Sequence, residues 1–412
     1  MLCRPFPLFR LVRFLTVGAL VALAAPVSAP ASAQTWQAAP AMSTPRTGAA
    51  WAVLDGRLYV MGGRSAGGDL LRSAEVFTPG MGWAPIRDLR DARAGARAVV
   101  LGGAIHLIGG RDRDGPSDNV DVYRPARDDW ESSNDLGAER DGLAAGTARG
   151  RLFVLGGATD GGALLGSAET FESGNWEPYP TWALAPARAL AGSAEAGGAV
   201  VVAGGFSQFG PLAAVQRFVP GAGPVTLPAL PAARGGLALA SDGAALFAVG
   251  GRDATDARLA SVDRLGAGAQ AWVALPSLPE AREGAAAAVV GLDLYVAGGT
   301  GPFGTVLASV VRLGGVVVGV DDGPAGRSPV ALDGPNPARG AVRLRFEAPE
   351  AGPVRLTVVD VRGREVAVLA DGSAAAGLHR VRWDAAGRAP GIYAARLTTS
   401  AGASVVRFAL VR

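Results

Sequence analysis

The 412-residue sequence has no lysine, so all 39 basic residues are arginine. Cysteine occurs once, as Cys3, and histidine twice, as His106 and His379. Charged residues make up only 18% of the chain. A single cysteine excludes disulfide stapling and cysteine-rich metal sites, so stability has to come from sheet packing. Two histidines leave little material for histidine-based catalysis or metal binding. Beyond the first residues, no segment approaches the roughly 20 apolar residues that a spanning helix requires. What is abundant is glycine, at 60 residues.

At the N-terminus, Arg4, Arg10 and Arg13 precede or flank the apolar run 14–25, and Ala31-Ser32-Ala33 supplies a small-residue cleavage site. This pattern predicts a secretory signal peptide over 1–33, cut between Ala33 and Gln34. Cys3 would leave with it. Charge then divides unevenly. Residues 34–327 carry 24 arginines against 29 acids, a net of −5, and residues 328–412 carry 12 against 7, a net of +5. An acidic first part does not fit nucleic-acid binding, which needs a clustered basic footprint.

Six glycine pairs recur: Gly62-Gly63, Gly109-Gly110, Gly156-Gly157, Gly204-Gly205, Gly250-Gly251 and Gly298-Gly299. Successive pairs are 47, 47, 48, 46 and 48 residues apart. An arginine stands sixteen residues before each pair: Arg46, Arg93, Arg140, Arg188, Arg234 and Arg282. Five of these have glycine two positions on, and the fourth repeat has Leu190 there. Two apolar runs fill the interval, split in the first repeat by the hairpin signal Asp55-Gly56. A third strand and a fourth carrying Trp83, Trp130, Trp176 or Trp272 follow. Fixed self-similarity at this period marks a repeat architecture. Six such units, each unable to bury both faces alone, predict an all-β, six-bladed propeller over 34–313.

The order arginine, aromatic residue, Gly-Gly, tryptophan resembles the Kelch repeat, in one register through all six units. Tyr59, Phe153, Phe247 and Tyr295 fill the aromatic slot, and His106 takes it in the second repeat as a packing residue. The sixth unit lacks its tryptophan strand, while residues 36–42 look like an orphan fourth strand. They are expected to complete the last blade beside 306–313 and close the ring. The Kelch resemblance admits copper radical oxidases, but these need a cysteine–tyrosine crosslink and histidine ligands, which a mature chain without cysteine cannot supply. It also admits sialic-acid mutarotases.

After 313 the composition changes. Residues 314–334 read as a linker and 335–412 as short alternating strands, predicting a small immunoglobulin-like β-sandwich. Asn336-Pro337, Asp360 with Gly363-Arg364, Gly377 with Trp383-Asp384, Gly391 with Tyr393, and terminal Arg412 resemble the type A C-terminal sorting domain of the type IX secretion system. That resemblance implies the type IX machinery as a partner and a route through the periplasm to the cell surface or medium. The alternative is an immunoglobulin-like spacer or adhesion module.

In an antiparallel meander, the connection bearing each repeat arginine and the one following each glycine pair open on the same face. The six repeat arginines, with Arg64, Arg111, Arg252, Phe206, Phe209 and Phe303, are the ligand-face candidates; arginine forks suit carboxylates. A structural bracing role is the competing reading for the six. Glu139, Asp141, Glu195 and Glu283 are placed on the same face as candidate acids. Asp112, Asp114 and Asp118 around Gly115 form an incomplete calcium-type ladder. The expected function is non-covalent binding of an extracellular glycan or protein, with no cofactor and no metal. A sugar-acid isomerase and an architectural surface protein are the alternatives.

Overall fold

The computed structural model describes residues 34–316, 329–334, 338–348, 350–360, 364–389, 391–399 and 402–411. The expected signal peptide with Ala33, residues 317–328 of the linker, and Asn336, Pro337, Gly363 and Arg412 lie outside the described residues.

Each repeat is a four-stranded antiparallel sheet. Blade 1 consists of Ala50–Leu54, Arg57–Met61, Ala74–Thr78 and Gly82–Ile86. Blade 2 has Arg97–Leu101, Ala104–Ile108, Val120–Arg124 and Asp129–Ser132, and blade 3 has Ala144–Ala148, Arg151–Leu155, Ser167–Glu172 and Asn175–Ala183. Blade 4 runs through Gly192–Ala196, Ala199–Ala203, Val215–Phe218 and Val225–Leu227, and blade 5 through Ala238–Ser241, Leu246–Val249, Val262–Leu265 and Val273–Leu275. Second strands such as Ala199–Ala203 are buried throughout because neighbouring blades cover both of their faces. The first strands meet in cyclic order, blade 1 through blade 6 and back to blade 1, as a closed six-bladed propeller requires.

The sixth blade takes its outer strand from the other end of the domain. Trp36–Ala39 pairs antiparallel with Val310–Leu313, Trp36 opposite Leu313 and Ala39 opposite Val310. Trp36 also does what three of the four other repeat tryptophans do. Its Nε1 donates to Pro276 O of the preceding blade, as Trp83 does to Pro40 O, Trp130 to Arg87 O and Trp272 to Pro228 O. Closure by a strand from the chain start leaves no free edge in the ring.

The glycine pairs are where adjacent blades approach most closely. The second glycine of each pair donates its N–H to the carbonyl of the next blade's repeat arginine, from Gly63 N to Arg93 O at 2.8 Å around to Gly299 N to Arg46 O at 2.8 Å. A Cβ on the first glycine would stand 2.3–2.8 Å from that same carbonyl. Both glycines also hold positive φ, so any side chain there meets backbone and strain together.

The six repeat arginines are not ligand-face residues. All are buried to 1% exposure or less. Arg140 is the fullest case. Its Nη1 donates to Gly156 O and Ser167 O, Nη2 to Ser167 Oγ, and both Nη2 and Nε to Glu169 Oε1 at 2.9 and 3.1 Å. Arg46 pairs with Glu75, Arg93 with Asp121 and Arg234 with Asp263 in the same way. In these four blades the guanidinium ties the chain entering the blade to that blade's own strands, its Nη donors going to carbonyls, a serine and a buried carboxylate. Blade 4 departs from this pattern. Arg188 meets neutral Gln216 at 2.7 Å, and burial without an acid pulls its pKa down to about 10.

Beyond the propeller, eight strands form a β-sandwich. One sheet contains Val330–Leu332, Ala341–Ala348 and Gly377–Asp384. The other contains Ala338–Arg339, Gly402–Val411, Gly391–Thr399, Gly352–Asp360 and Glu365–Ala374. Val342, Leu344 and Phe346 face Val354, Leu356 and Val358 across a shared core, with Trp383 against Tyr393 and Phe408. The motif residues in view are mostly structural. Asp360 holds the turn through Arg364 N and Nε, Asp384 caps Ala386 N, Tyr393 Oη donates to Ala389 O, and Gly377 and Gly391 begin strands. His379 stacks on Phe346 at 4.8 Å. The sandwich touches the propeller where Arg396 Nη2 donates to Asp242 O at 2.9 Å in a first-to-second-strand turn.

Deleting residues 34–42 should remove several kcal/mol and lower the melting temperature by more than about 10 °C; an unchanged melting temperature in calorimetry refutes the closure. Glu169→Ala should cost about 3–5 kcal/mol in urea unfolding at neutral pH, because it leaves the Arg140 charge buried without its acid.

Candidate functional site

The face carrying the glycine-pair loops narrows at its centre to a small cavity, lined by the residues two places after each repeat arginine and by Arg97. The residue two places after each repeat arginine donates its N–H to the carbonyl of the preceding blade's equivalent: Gly95 to Gly48, Gly142 to Gly95, Leu190 to Gly142, Gly236 to Leu190, Gly284 to Gly236, and Gly48 to Gly284. These six bonds, 2.7–3.2 Å long, form a closed backbone ring around the propeller axis. All six residues hold φ between 54° and 70°. Leu190 adopts this left-handed conformation without being glycine, and its side chain stands 42% exposed at the centre of the face.

Outside that ring lies a second one of paired backbone. Thr47 bridges Arg64, Ala94 bridges Arg111, Asp141 bridges Ala158, Ala189 bridges Phe206, Gly235 bridges Arg252, and Glu283 bridges Thr300. Several side chains following the glycine pairs lean onto the next blade. Arg111 pairs with Asp141 at 2.9 Å, Arg252 with Glu283 at 2.9 Å, and Thr300 Oγ1 donates to Thr47 Oγ1 at 2.9 Å. Phe206 lies over the bare Cα of Gly235 and beneath the Arg252 guanidinium, 4.9 Å from its ring centre. Arg258 adds a second cation to Glu283.

The predicted ligand-face residues therefore divide. Arg111, Arg252 and Phe206 bind neighbouring blades to one another. Arg64 donates to Gly68 O at 3.1 Å and pairs with no described carboxylate. Phe209, at the tip of the blade 4 hairpin Phe206–Ser207 and Gly210–Pro211, is 88% exposed. Phe303, in the 3-10 turn Pro302–Gly304 of blade 6, is wholly exposed and holds φ of 59°. Leu190, Phe209 and Phe303 thus form an apolar set around blades 4 to 6, with the charged blade 5 loop of Arg252, Asp256 and Arg258 between the two phenylalanines.

On the other side of the glycine ring, the channel is a well of about 230 Å³ lined by the first strands. Its floor holds Arg97, which the repeat pattern does not single out. Arg97 occupies the position four residues after the repeat arginine, where the other blades have Ala50, Ala144, Gly192, Ala238 and Ala286. Five small residues leave room for one long side chain to lie across the axis. Nε donates to Leu143 O at 2.9 Å, and Nη2 donates to Ala191 O on the next blade but one. Among the described residues it has no carboxylate partner, and burial brings its pKa down to about 10, so it remains a cation at neutral pH.

Three residues farther along each first strand, the wall is split by polarity. Blades 3, 4 and 5 contribute Thr147, Glu195 and Ser241, and blades 6, 1 and 2 contribute Val289, Val53 and Val100. Thr147 Oγ1 donates to Glu195 Oε2. Glu195 is thus on the well side of the disc, away from the glycine-pair face to which sequence reasoning assigned it. The sequence did contain a signal for Arg97: a single arginine in a column otherwise restricted to alanine and glycine.

His106 is buried in its blade with its pKa lowered by desolvation and by the Arg124 charge, as a packing residue should be. Asp112 accepts from Asp114 N in a local turn. Among the described residues no three His, Cys, Asp or Glu side chains are grouped to hold a metal, and no helix is long and apolar enough to cross a membrane.

Comparison with known proteins agrees with this geometry. The Kelch motif model matches residues 45–81 and 92–137, the first two repeats. No curated protein matches the sequence. Among solved structures, one titled "Structure of YjhT" superposes with a TM-score of 0.56 at 14% identity, covering 66% of this chain and 95% of that one. Motif, repeat register and superposition together support a Kelch-repeat β-propeller.

Proposed function

We propose that this chain is an exported bacterial protein, secreted or held at the outer surface, whose propeller binds an extracellular glycan or protein carrying acidic groups. The observation that carries this reading is the exposed set on the glycine-pair face. Phe209 and Phe303 stand free at loop tips, and Arg64 lacks an acid partner. Loop tips on a rigid scaffold are where binding residues are commonly carried. On blade 1, next to the blade that bears Phe303, Arg64 adds a fork for carboxylates on the same face.

Export rests on the two ends of the sequence: the N-terminal signal pattern and the C-terminal module resembling a type A sorting domain. In that reading the sandwich is an address recognised by the type IX machinery, and the propeller is the cargo.

The full mature chain should bind a restricted set of ligands on glycan and acidic-peptide arrays. Arg64→Ala combined with Phe209→Ala should weaken the best of these at least about tenfold without moving the melting temperature; undiminished binding rejects the face. Residues 328–412 fused behind a signal peptide and a passenger should carry it to the surface of a type IX-competent host, and a passenger retained in the periplasm rejects the sorting role.

A further inference from the structure

A cation without a counter-charge in a half-enclosed site carries an electrostatic cost, which an anion can offset. Arg97, half-buried in the wall of the well, is in that position. Its two bonded nitrogens face the carbonyls of Leu143 and Ala191, and Nη1 has no partner among the described residues. The six repeat arginines differ. Arg46, Arg93, Arg140 and Arg234 each hold an acid, Arg282 lies 3.7 Å from Glu280, and Arg188 meets Gln216. Arg97 lies between the well and the small cavity inside the glycine ring, and lines both.

We infer that the well is a binding site for a small aliphatic monocarboxylate bearing a terminal hydroxyl, with the carboxylate on Arg97 and the hydroxyl at Thr147, Glu195 and Ser241. Length, volume and charge each narrow the class. Three residues of strand separate Arg97 from the polar layer, about 10 Å along the axis. A hydrogen bond of about 2.8 Å at each end leaves about 4–5 Å between the ligand's own oxygens, the span of a chain of three or four carbons. A cavity of roughly 150 Å³ holds benzene; at about 230 Å³ this well accommodates a somewhat larger molecule. Val53, Val100 and Val289 give the methylenes an apolar wall, and Trp51 lies beside them. Glu195 accepts a hydroxyl proton well but repels a second carboxylate, so a dianion of the same length is disfavoured.

This site differs from the loop tips of the glycine-pair face. The backbone ring of Gly48, Gly95, Gly142, Leu190, Gly236 and Gly284 stands between the well and those loops, and Arg97 also lines the cavity inside the ring. Its ligand is a small molecule, and either site can fail without the other.

The test is calorimetric titration of the full mature chain with 4-hydroxybutanoate, butanoate, succinate and 1,4-butanediol. The expected result is saturable one-to-one binding of 4-hydroxybutanoate. Butanoate and succinate should each be weaker by about tenfold, and the diol should give no heat. Arg97→Met should abolish binding and Arg97→Lys should retain part of it. Glu195→Gln, at the exposed rim, should narrow or reverse the preference over succinate. The inference is overturned if no monocarboxylate saturates the folded wild-type chain by about 10 mM, a concentration beyond any useful affinity. It is equally overturned if Arg97→Met binds as wild type. Should Arg97→Met not fold, the Glu195→Gln selectivity decides, and unchanged discrimination against succinate rejects the site.

Discussion

The approach of backbone to backbone between neighbouring blades governs the propeller. At each glycine pair, an N–H of one blade reaches the carbonyl of the next blade's arginine, and the first glycine's missing side chain is what permits it. The arginine is then fixed from two directions. Its carbonyl belongs to the contact between blades, while its guanidinium is held by the second and third strands of its own blade. One residue in each repeat thereby locks both the internal geometry of a blade and the angle to the next. Blade 4 shows the tolerance of the device: Arg188 persists with Gln216 in place of an acid, because the carbonyl contact alone still sets the spacing.

That constraint also divides the channel. With the blades held at this distance, the chain two residues beyond each arginine comes close enough to bond around the axis. The resulting ring uses up the polar backbone groups that would otherwise line a through-pore. The protein therefore offers two unlike surfaces. One is a flat rim with apolar loop tips, suited to a large partner. The other is a narrow well with a cation at its floor and a wall half polar and half aliphatic, suited to a small one. Pairs such as Arg111 with Asp141 and Arg252 with Glu283 bind the rim together, so the exposed residues stand on a fixed base.

Much of this was legible in one dimension because each repeat must solve the same packing problem. Equal spacing of the glycine pairs announced the blades, and the tryptophan at position 36 without a repeat of its own announced the closing strand. Strand alternation in 342–346 and 354–358 announced the sandwich core. The arginines misled for a physical reason: a residue type that binds ligands and one that braces a blade look alike until burial is known. Glu195 misled for another. It follows a repeat arginine by seven residues, and a strand of that length carries a side chain from one face of the disc to the other.

The sequence by itself determined the number of blades, the closure and the residues that hold each blade, since these follow from contacts repeated at constant separation along the chain. Only the tertiary structure decided which side chains are free and which are spent. Arg64 and Arg111 occupy equivalent positions, yet Arg111 meets an acid on the next blade and Arg64 does not. Arg97 became a site only when five small residues from five other blades were brought around it. Such differences depend on what lies across the gap between blades, a distance that no spacing in the chain records.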